Sequence, residues 1–320
     1  MGKTYDKKAL TLDEQADLLL ARGLLANRAV LIERLRTVNY YRLSGYLYPF
    51  RQLDDTYISG TTFDAIWRRY NFDRRLRMLL LDAIERLEIA VRSRVVHHFV
   101  MAHGPFGYLR QKNLPGFKKR SLFRRMTKVL KHWSRLERAK PPEFTFWIRK
   151  LKNEKARARN EFVIHFETKY GGAHKFLPLW MAAELMTCET TQMLARAIEP
   201  NLLRNAANDF GFPDQQLLSW TKAIFTLRNS CAHHARVWNR VVGVKPSIPG
   251  KNKNPLWHVA PGFAPDRVGI LLTVCNHWLQ KVNPASNWKT RLFALFDEYP
   301  DIPVAEMGLP AAWRSHPLWL

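Results

Sequence analysis

The chain has 320 residues, 47% of them hydrophobic, and carries 51 Lys and Arg against 27 Asp and Glu, a formal net charge of +24. That composition excludes a disordered chain. The three scattered cysteines (Cys188, Cys231, Cys275) supply neither a disulfide framework nor a zinc ligand set, and they fit a reducing compartment. The opening MGKTYDKKAL has no signal-peptide core, Asp6 spoils a myristoylation pattern, and no apolar run approaches bilayer length. The expectation is a cytoplasmic protein with polyanionic partners, nucleic acid ahead of a membrane face.

In chain order, Thr11-Leu12-Asp13-Glu14 has the form of a capping box and opens a short helix that Gly23 can end. A second helix is expected over about 27–38. The run NYYRLSGYLYPF at 39–50 is aromatic-rich and broken by Gly45 and Pro49. The longest periodic stretch begins after Thr61-Thr62, reaches about His103 and stops at Gly104-Pro105. Residues 110–159 then hold about 18 Lys or Arg against Glu137, Glu143 and Glu154, interrupted by Phe117, Phe123, Trp133, Phe144, Phe146 and Trp147. Cations beside aromatic faces suit an RNA strand, although most of these rings individually read as core. Lys118, Lys119, Arg120, Arg124, Arg125 and Lys128 are the candidate RNA contacts there.

A further helix is expected from near Pro178 to just before Pro200. The next starts after Pro213-Asp214 and carries Leu217, Trp220, Ile224, Leu227 and Cys231 at spacings of three and four. A long Gly-, Pro-, Asn- and Lys-rich loop at 243–265 follows, then two helices and a Pro-rich tail. Strand signals are scarce, so the fold class is all-α. The expected division is an N-terminal helical region at 1–60, a helical domain at 61–282 with a basic helical insert at about 105–170, and a C-terminal helix and tail at 283–320.

The most informative segment is RNSCAHH, residues 228–234. The planar fork of an arginine grips phosphate, and a histidine can give or take a proton near neutral pH. Together they are the minimum kit for cutting RNA without a metal. Spacing alone does not single them out, because Arg92 and His97 repeat it. The apolar stripe of this helix continues through His234 to Trp238, which puts His234 on the core face as a buried, hydrogen-bonded histidine. Asn229, His233, Arg236 and Arg240 then fall on the opposite face behind Lys222, as a phosphate-facing surface or a merely solvated one. Arg228 and His233 would lie about 140° apart on an ideal helix. Convergence needs the long arginine stem, a kink, or a second copy of the helix from a partner subunit.

Glu85 and Glu88, in ERLEIAVR, could present an acid to Arg228; the bland alternative is a Glu88–Arg92 surface pair. The imidazole group His97, His98 and His103 lacks neighbouring carboxylates at ligand spacing and reads as the ragged end of a basic helix. No metal and no cofactor are expected, and no Gly-rich phosphate loop is present.

RNSCAHH followed by RVWNR resembles the Abi-like (abortive infection) family of bacterial proteins, whose C-terminal part carries the signature of HEPN ribonuclease domains. NYYRLSGYLYPFR near the start, IERLEIAVRSRV at 84–95 and LPLWMAAEL at 177–185 are similar to the family's other signature blocks, so the resemblance spans roughly residues 10–245. It implies a HEPN-type helical bundle with additional N-terminal and inserted helices, and a homodimer that joins two motifs in one cleft. It also implies metal-independent RNA cleavage in bacterial antiphage defence. By position, Arg228 and His233 take the catalytic roles and Asn229 the polar position after the arginine; Arg236 and Arg240, from the projected polar face, are candidate RNA contacts. Arg92 and His97 lie outside the family's motif and are assigned to structure. The alternative is an RNA-binding protein with little or no cleavage, forming a regulatory ribonucleoprotein with a small RNA.

Overall fold

The computed structural model describes Thr4 and residues 8–117 and 143–320. The fold is all-α: among the described residues no strand forms, only the isolated bridges Leu25–Thr62 and Arg51–Tyr57. The six lysines and arginines from Lys118 to Lys128 expected to contact RNA lie outside the described residues.

Helix α1 (Leu12–Ala21) opens with the capping box, in which Thr11 accepts from the Glu14 amide while the Glu14 side chain accepts from the Thr11 amide. Helix α2 (Arg28–Val38) is capped by Asn27. The aromatic segment then forms a helix of its own, α3 (Tyr40–Leu47), which runs through Gly45 instead of breaking there. The backbone turns only at Asn39, in the positive-φ region at 71°, and at the 3₁₀ turn Tyr48–Phe50 that carries Pro49. Helix α4 (Phe63–His103) is the axis of the molecule, capped by Thr62 and terminated by Gly104 at φ 74°.

Helices α5 (Glu143–Arg157) and α6 (Glu161–Tyr170) follow. The single helix expected between Pro178 and Pro200 is two, α7 (Leu179–Glu184) and α8 (Cys188–Ala197). No Gly or Pro marks the break. Thr187 makes it, in extended backbone, by accepting from the Thr190 amide as the cap of α8. Helices α9 (Pro200–Asn208), α10 (Asp214–Ala232), α11 (Val268–Val282) and α12 (Trp288–Glu298) complete the set.

One hydrophobic cluster extends from Ala16 to Trp319, and a small satellite forms around Val163, Phe166, Leu177 and Ala182. Helix α4 packs against α3, α7, α8, α9, α10, α11 and α12, so its apolar residues lie at the centre. Helix α11 is buried almost all round, as its sequence VGILLTVCNHWL demands. Trp220, Trp238, Trp278 and Trp288 are fully buried, Trp220 against Trp278 and Trp288 donating to the Leu79 carbonyl of α4 at 2.7 Å. Of the aromatics in the basic stretch, Trp147 and Phe117 are core, Trp147 donating to the Thr190 carbonyl at 3.0 Å. Among the described residues no helix is long and apolar enough to cross a membrane.

Candidate active site

Helix α10 ends at Ala232, short of the expected continuation to Trp238. His233 is the C-cap, and His234 adopts the left-handed conformation at φ 57°. The His234 amide donates to the Cys231 carbonyl (3.0 Å), and the Ala235 amide donates to the Ser230 carbonyl (2.9 Å). These are the two bonds of a Schellman cap, with a histidine where glycine is usual. His234 is therefore exposed and not a core histidine. Past the turn the chain no longer follows helical phase, and the stripe projected through Arg236 and Arg240 does not exist as one helix face.

The turn is held from behind by a buried ionic cluster that the sequence reading missed. Asp73 on α4 is fully buried. It accepts from the Trp238 amide (2.8 Å), the Val237 amide (3.1 Å), the Tyr46 hydroxyl (2.6 Å) and the Arg77 guanidinium. Arg77 also donates to the Ala235 carbonyl at 3.3 Å. Burial pushes the Asp73 carboxyl above its ordinary range, against the pull of Arg77 and these donors. Burial, and then the charge of Asp73, raises the Tyr46 hydroxyl. A second clamp comes from α3: Arg42 donates to the His234 carbonyl at 2.6 Å, and Arg236 donates to the Gly45 carbonyl. The blocks NYYRLSGYLYPF and RVWNR thus meet across Asp73 and Arg42, on either side of the RNSCAHH turn. The detectable signal was NFDRRLR at 71–77, an acid four residues before an arginine, which reads locally as surface pairing.

In front of this support, Arg228, Asn229 and His233 are all exposed. The helix end does not remove the 140° separation: the His233 amide still makes the last bond of the helix, and the helical phase is lost only from His234. Within one chain Arg228 and His233 are therefore not brought together, and convergence falls to the long arginine stem or a second copy. The Asn229 carbonyl accepts from the His233 amide at 2.9 Å, the last i→i+4 bond of the helix, which any residue at 229 would accept. Arg228 lines a cavity of about 370 Å³ with Met78, Leu81, Asp82, Glu85 and Glu88. The two glutamates proposed beside Arg228 are therefore there. Among the described residues no carboxylate comes within 4.0 Å of its guanidinium to form an ion pair. The bland Glu88–Arg92 pair does not form. Arg92 reaches Glu184 at 3.5 Å, and Glu88 accepts from the Cys188 thiol at 3.0 Å. Burial, followed by that hydrogen bond to Glu88, pushes the Cys188 thiol up to about 12, while Arg228 pulls it down.

Arg236 and Arg240 line a smaller cleft with Thr226, Ser230 and Val242, separate from the Arg228 cavity. Arg240 is exposed, and Arg236 is half-buried on Gly45. The histidines at the end of α4 do find carboxylates, contrary to the sequence reading: His98 meets Asp209 and His103 meets Glu199, each at 2.9 Å. Those acids flank the two ends of α9, so the pairs fasten α9 to α4. Among the described residues, no group of three or more His, Cys, Asp or Glu side chains could hold a metal ion.

A family model described as Abi-like protein matches residues 33–239, from α2 to just past the RNSCAHH turn. No curated protein and no solved structure matches the chain.

Proposed function

This chain belongs to the Abi-like protein family, whose name points to abortive-infection defence, and we propose that it acts there as a metal-independent endoribonuclease. The observation that carries the reading is the setting of Arg228, Asn229 and His233. Three exposed side chains suited to phosphate and proton chemistry stand on a turn locked from behind by Asp73, Arg77 and Arg42. Reactive groups on a rigid support are what a cleavage centre requires.

In the proposed reaction the ribose 2′-oxygen attacks the adjacent phosphorus, and the bond from phosphorus to the 5′-oxygen breaks. The proton leaves the 2′-hydroxyl and ends on the departing 5′-oxygen, with His233 as its carrier. Arg228 neutralises the nonbridging oxygens as charge gathers on the pentacoordinate phosphorus. Asn229 holds His233 in place, and Glu85 and Glu88 steer the guanidinium. The products are a 2′,3′-cyclic phosphate and a 5′-hydroxyl.

A second copy of the chain completes the site in this reading. Met78, which lines the Arg228 cavity, and Ile89 three turns along the same face of α4 are 61% and 49% exposed. Covering them in a two-fold dimer would bring two Arg228–His233 sets to one interface. The test incubates the purified protein with bacterial RNA in EDTA beside His233→Ala. Cyclic-phosphate ends that vanish in the variant support the enzyme. RNA binding without cutting in either protein supports the non-catalytic ribonucleoprotein instead.

A further inference from the structure

The turn that carries Arg228 and His233 separates two cavities of opposite character that share the wall Met78–Leu81. The one holding Arg228 contains Asp82, Glu85 and Glu88. The other, about 410 Å³, is lined by Thr37, Arg42, Tyr70, Arg74 and His234 among others, and no carboxylate lines it. Arg77 is also in its wall, already neutralised from behind by Asp73. The free charge of this cavity therefore comes from Arg42 and Arg74, with the His234 imidazole and the Thr37 and Tyr70 hydroxyls as further polar groups.

Asp82 is paired with Arg86 and Arg291, so the Arg228 cavity sets Glu85 and Glu88 against Arg228 itself. The cavity of Arg42 and Arg74 is the stronger attractor for an RNA strand. Two further features single out the cationic cavity. His234 occupies the left-handed position of a helix cap, where glycine costs least, yet this residue lines the cavity. The Arg42 guanidinium fixes that turn through one nitrogen, Nη1, leaving its remaining N–H groups for a ligand.

Resting on the ribonuclease reading, we propose that this cavity binds the RNA phosphodiester next to the one cleaved. Arg74 and His234 contact its nonbridging oxygens, and Arg42 both holds the turn and supplies a second cation. Arg74 is then a binding residue for substrate, not a catalytic one. Its absence from the RNSCAHH motif follows from its place on α4, more than 150 positions earlier in the chain.

The experiment uses His233→Ala as the background, so that binding is measured without turnover. Fluorescence anisotropy with a labelled single-stranded RNA 12-mer follows affinity against salt for this protein with and without Arg74→Ala. The expected result is several-fold weaker binding and a log–log salt slope smaller by about 0.7, one phosphate's worth on a single strand. Arg74→Lys restores most of the slope. Arg204→Ala, an exposed arginine on α9, leaves it unchanged. In the His233 protein, Arg74→Ala raises KM for the 12-mer with kcat kept, and leaves cleavage of a dinucleotide, which has no neighbouring phosphate, untouched. An unchanged slope, or an equal loss with Arg204→Ala, overturns the subsite. A loss of kcat on the dinucleotide overturns it too. Should no RNA be cut by any variant, the ribonuclease reading fails while the binding arm still decides the subsite.

Discussion

Arg92 and His97 lie inside one uninterrupted helix, α4, whereas Arg228 and His233, with the same spacing, straddle the end of α10. In α4 the helix dictates both directions, and Arg92 is engaged by Glu184. At the end of α10 His233 caps the last turn, the helical phase stops at His234, and the backbone beyond is pinned by a buried aspartate and a second arginine. What separates the two pairs is the termination of the helix and the support behind it, neither of which is written in the spacing.

The sharpest way to break that comparison is to truncate both pairs. Arg228→Ala and His233→Ala are expected to lower RNA cleavage by at least about 100-fold each. Arg92→Ala and His97→Ala should leave it within about twofold. Equal losses from the two pairs, read by initial rates on one labelled RNA, would erase the distinction.

The support can be attacked next. Asp73→Ala leaves Arg77 buried without its counter-charge and two backbone amides without their acceptor. The expected cost is about 3–5 kcal/mol of folding stability, read by urea denaturation. Activity should fall with it even under conditions where the variant remains folded, because the turn is released. A stable, fully active Asp73→Ala protein would show that the turn needs no anchor.

Acid sharpens the comparison differently, by separating folding from chemistry. His277, packed among Phe212, Trp220 and Trp257 behind α10, is held down to about 4 by burial, with Lys281 adding to the effect. Its folded value lies below the unfolded one, so the unfolded chain binds more protons between about pH 6.5 and 4. The stability His277 contributes is complete above about pH 6.5 and is lost as pH falls toward 4, up to about 3 kcal/mol. His277→Phe should flatten that loss in urea titrations at pH 7 and 5, leaving any remaining acid limb of cleavage to the site itself. An unaltered pH dependence of stability would refute the assignment.

The smallest effects belong to the acids beside Arg228. Glu85→Gln and Glu88→Gln are expected to lower cleavage by about three- to tenfold by removing a negative charge from the cavity that holds the guanidinium, a difference of roughly 1 kcal/mol. Unchanged kcat and KM in both would reduce the pair to surface charge.

Much of the fold was legible because its signals are local. The Thr11–Glu14 capping box and the limits of α4 at Thr62 and Gly104 all involve residues within a turn of one another. The breaks at Thr187 and His234 were not legible, because neither is marked by Gly or Pro. One is made by a threonine cap, and the other by a histidine in a glycine-like conformation. The exposed members of the site, Arg228, Asn229 and His233, could be named from residue type and resemblance. Their support could not: the Asp73 carboxylate bonds a backbone amide 165 positions away. Local sequence around it, NFDRRLR, looks like a charged surface turn of helix. The same distance in sequence hides the pocket of Arg42 and Arg74, since only the fold carries α3 and α4 to the end of α10.

The central claim is that RNA is cut here by its own 2′-hydroxyl, and it is tested most directly on a defined RNA bearing one 2′-deoxyribose at a mapped cleavage position. The expected result is cutting with a 2′,3′-cyclic phosphate end on the all-ribose strand, in EDTA, and no cutting at the substituted position. Cleavage that persists at the deoxyribose would contradict it, because the nucleophile assigned to the reaction would no longer be there.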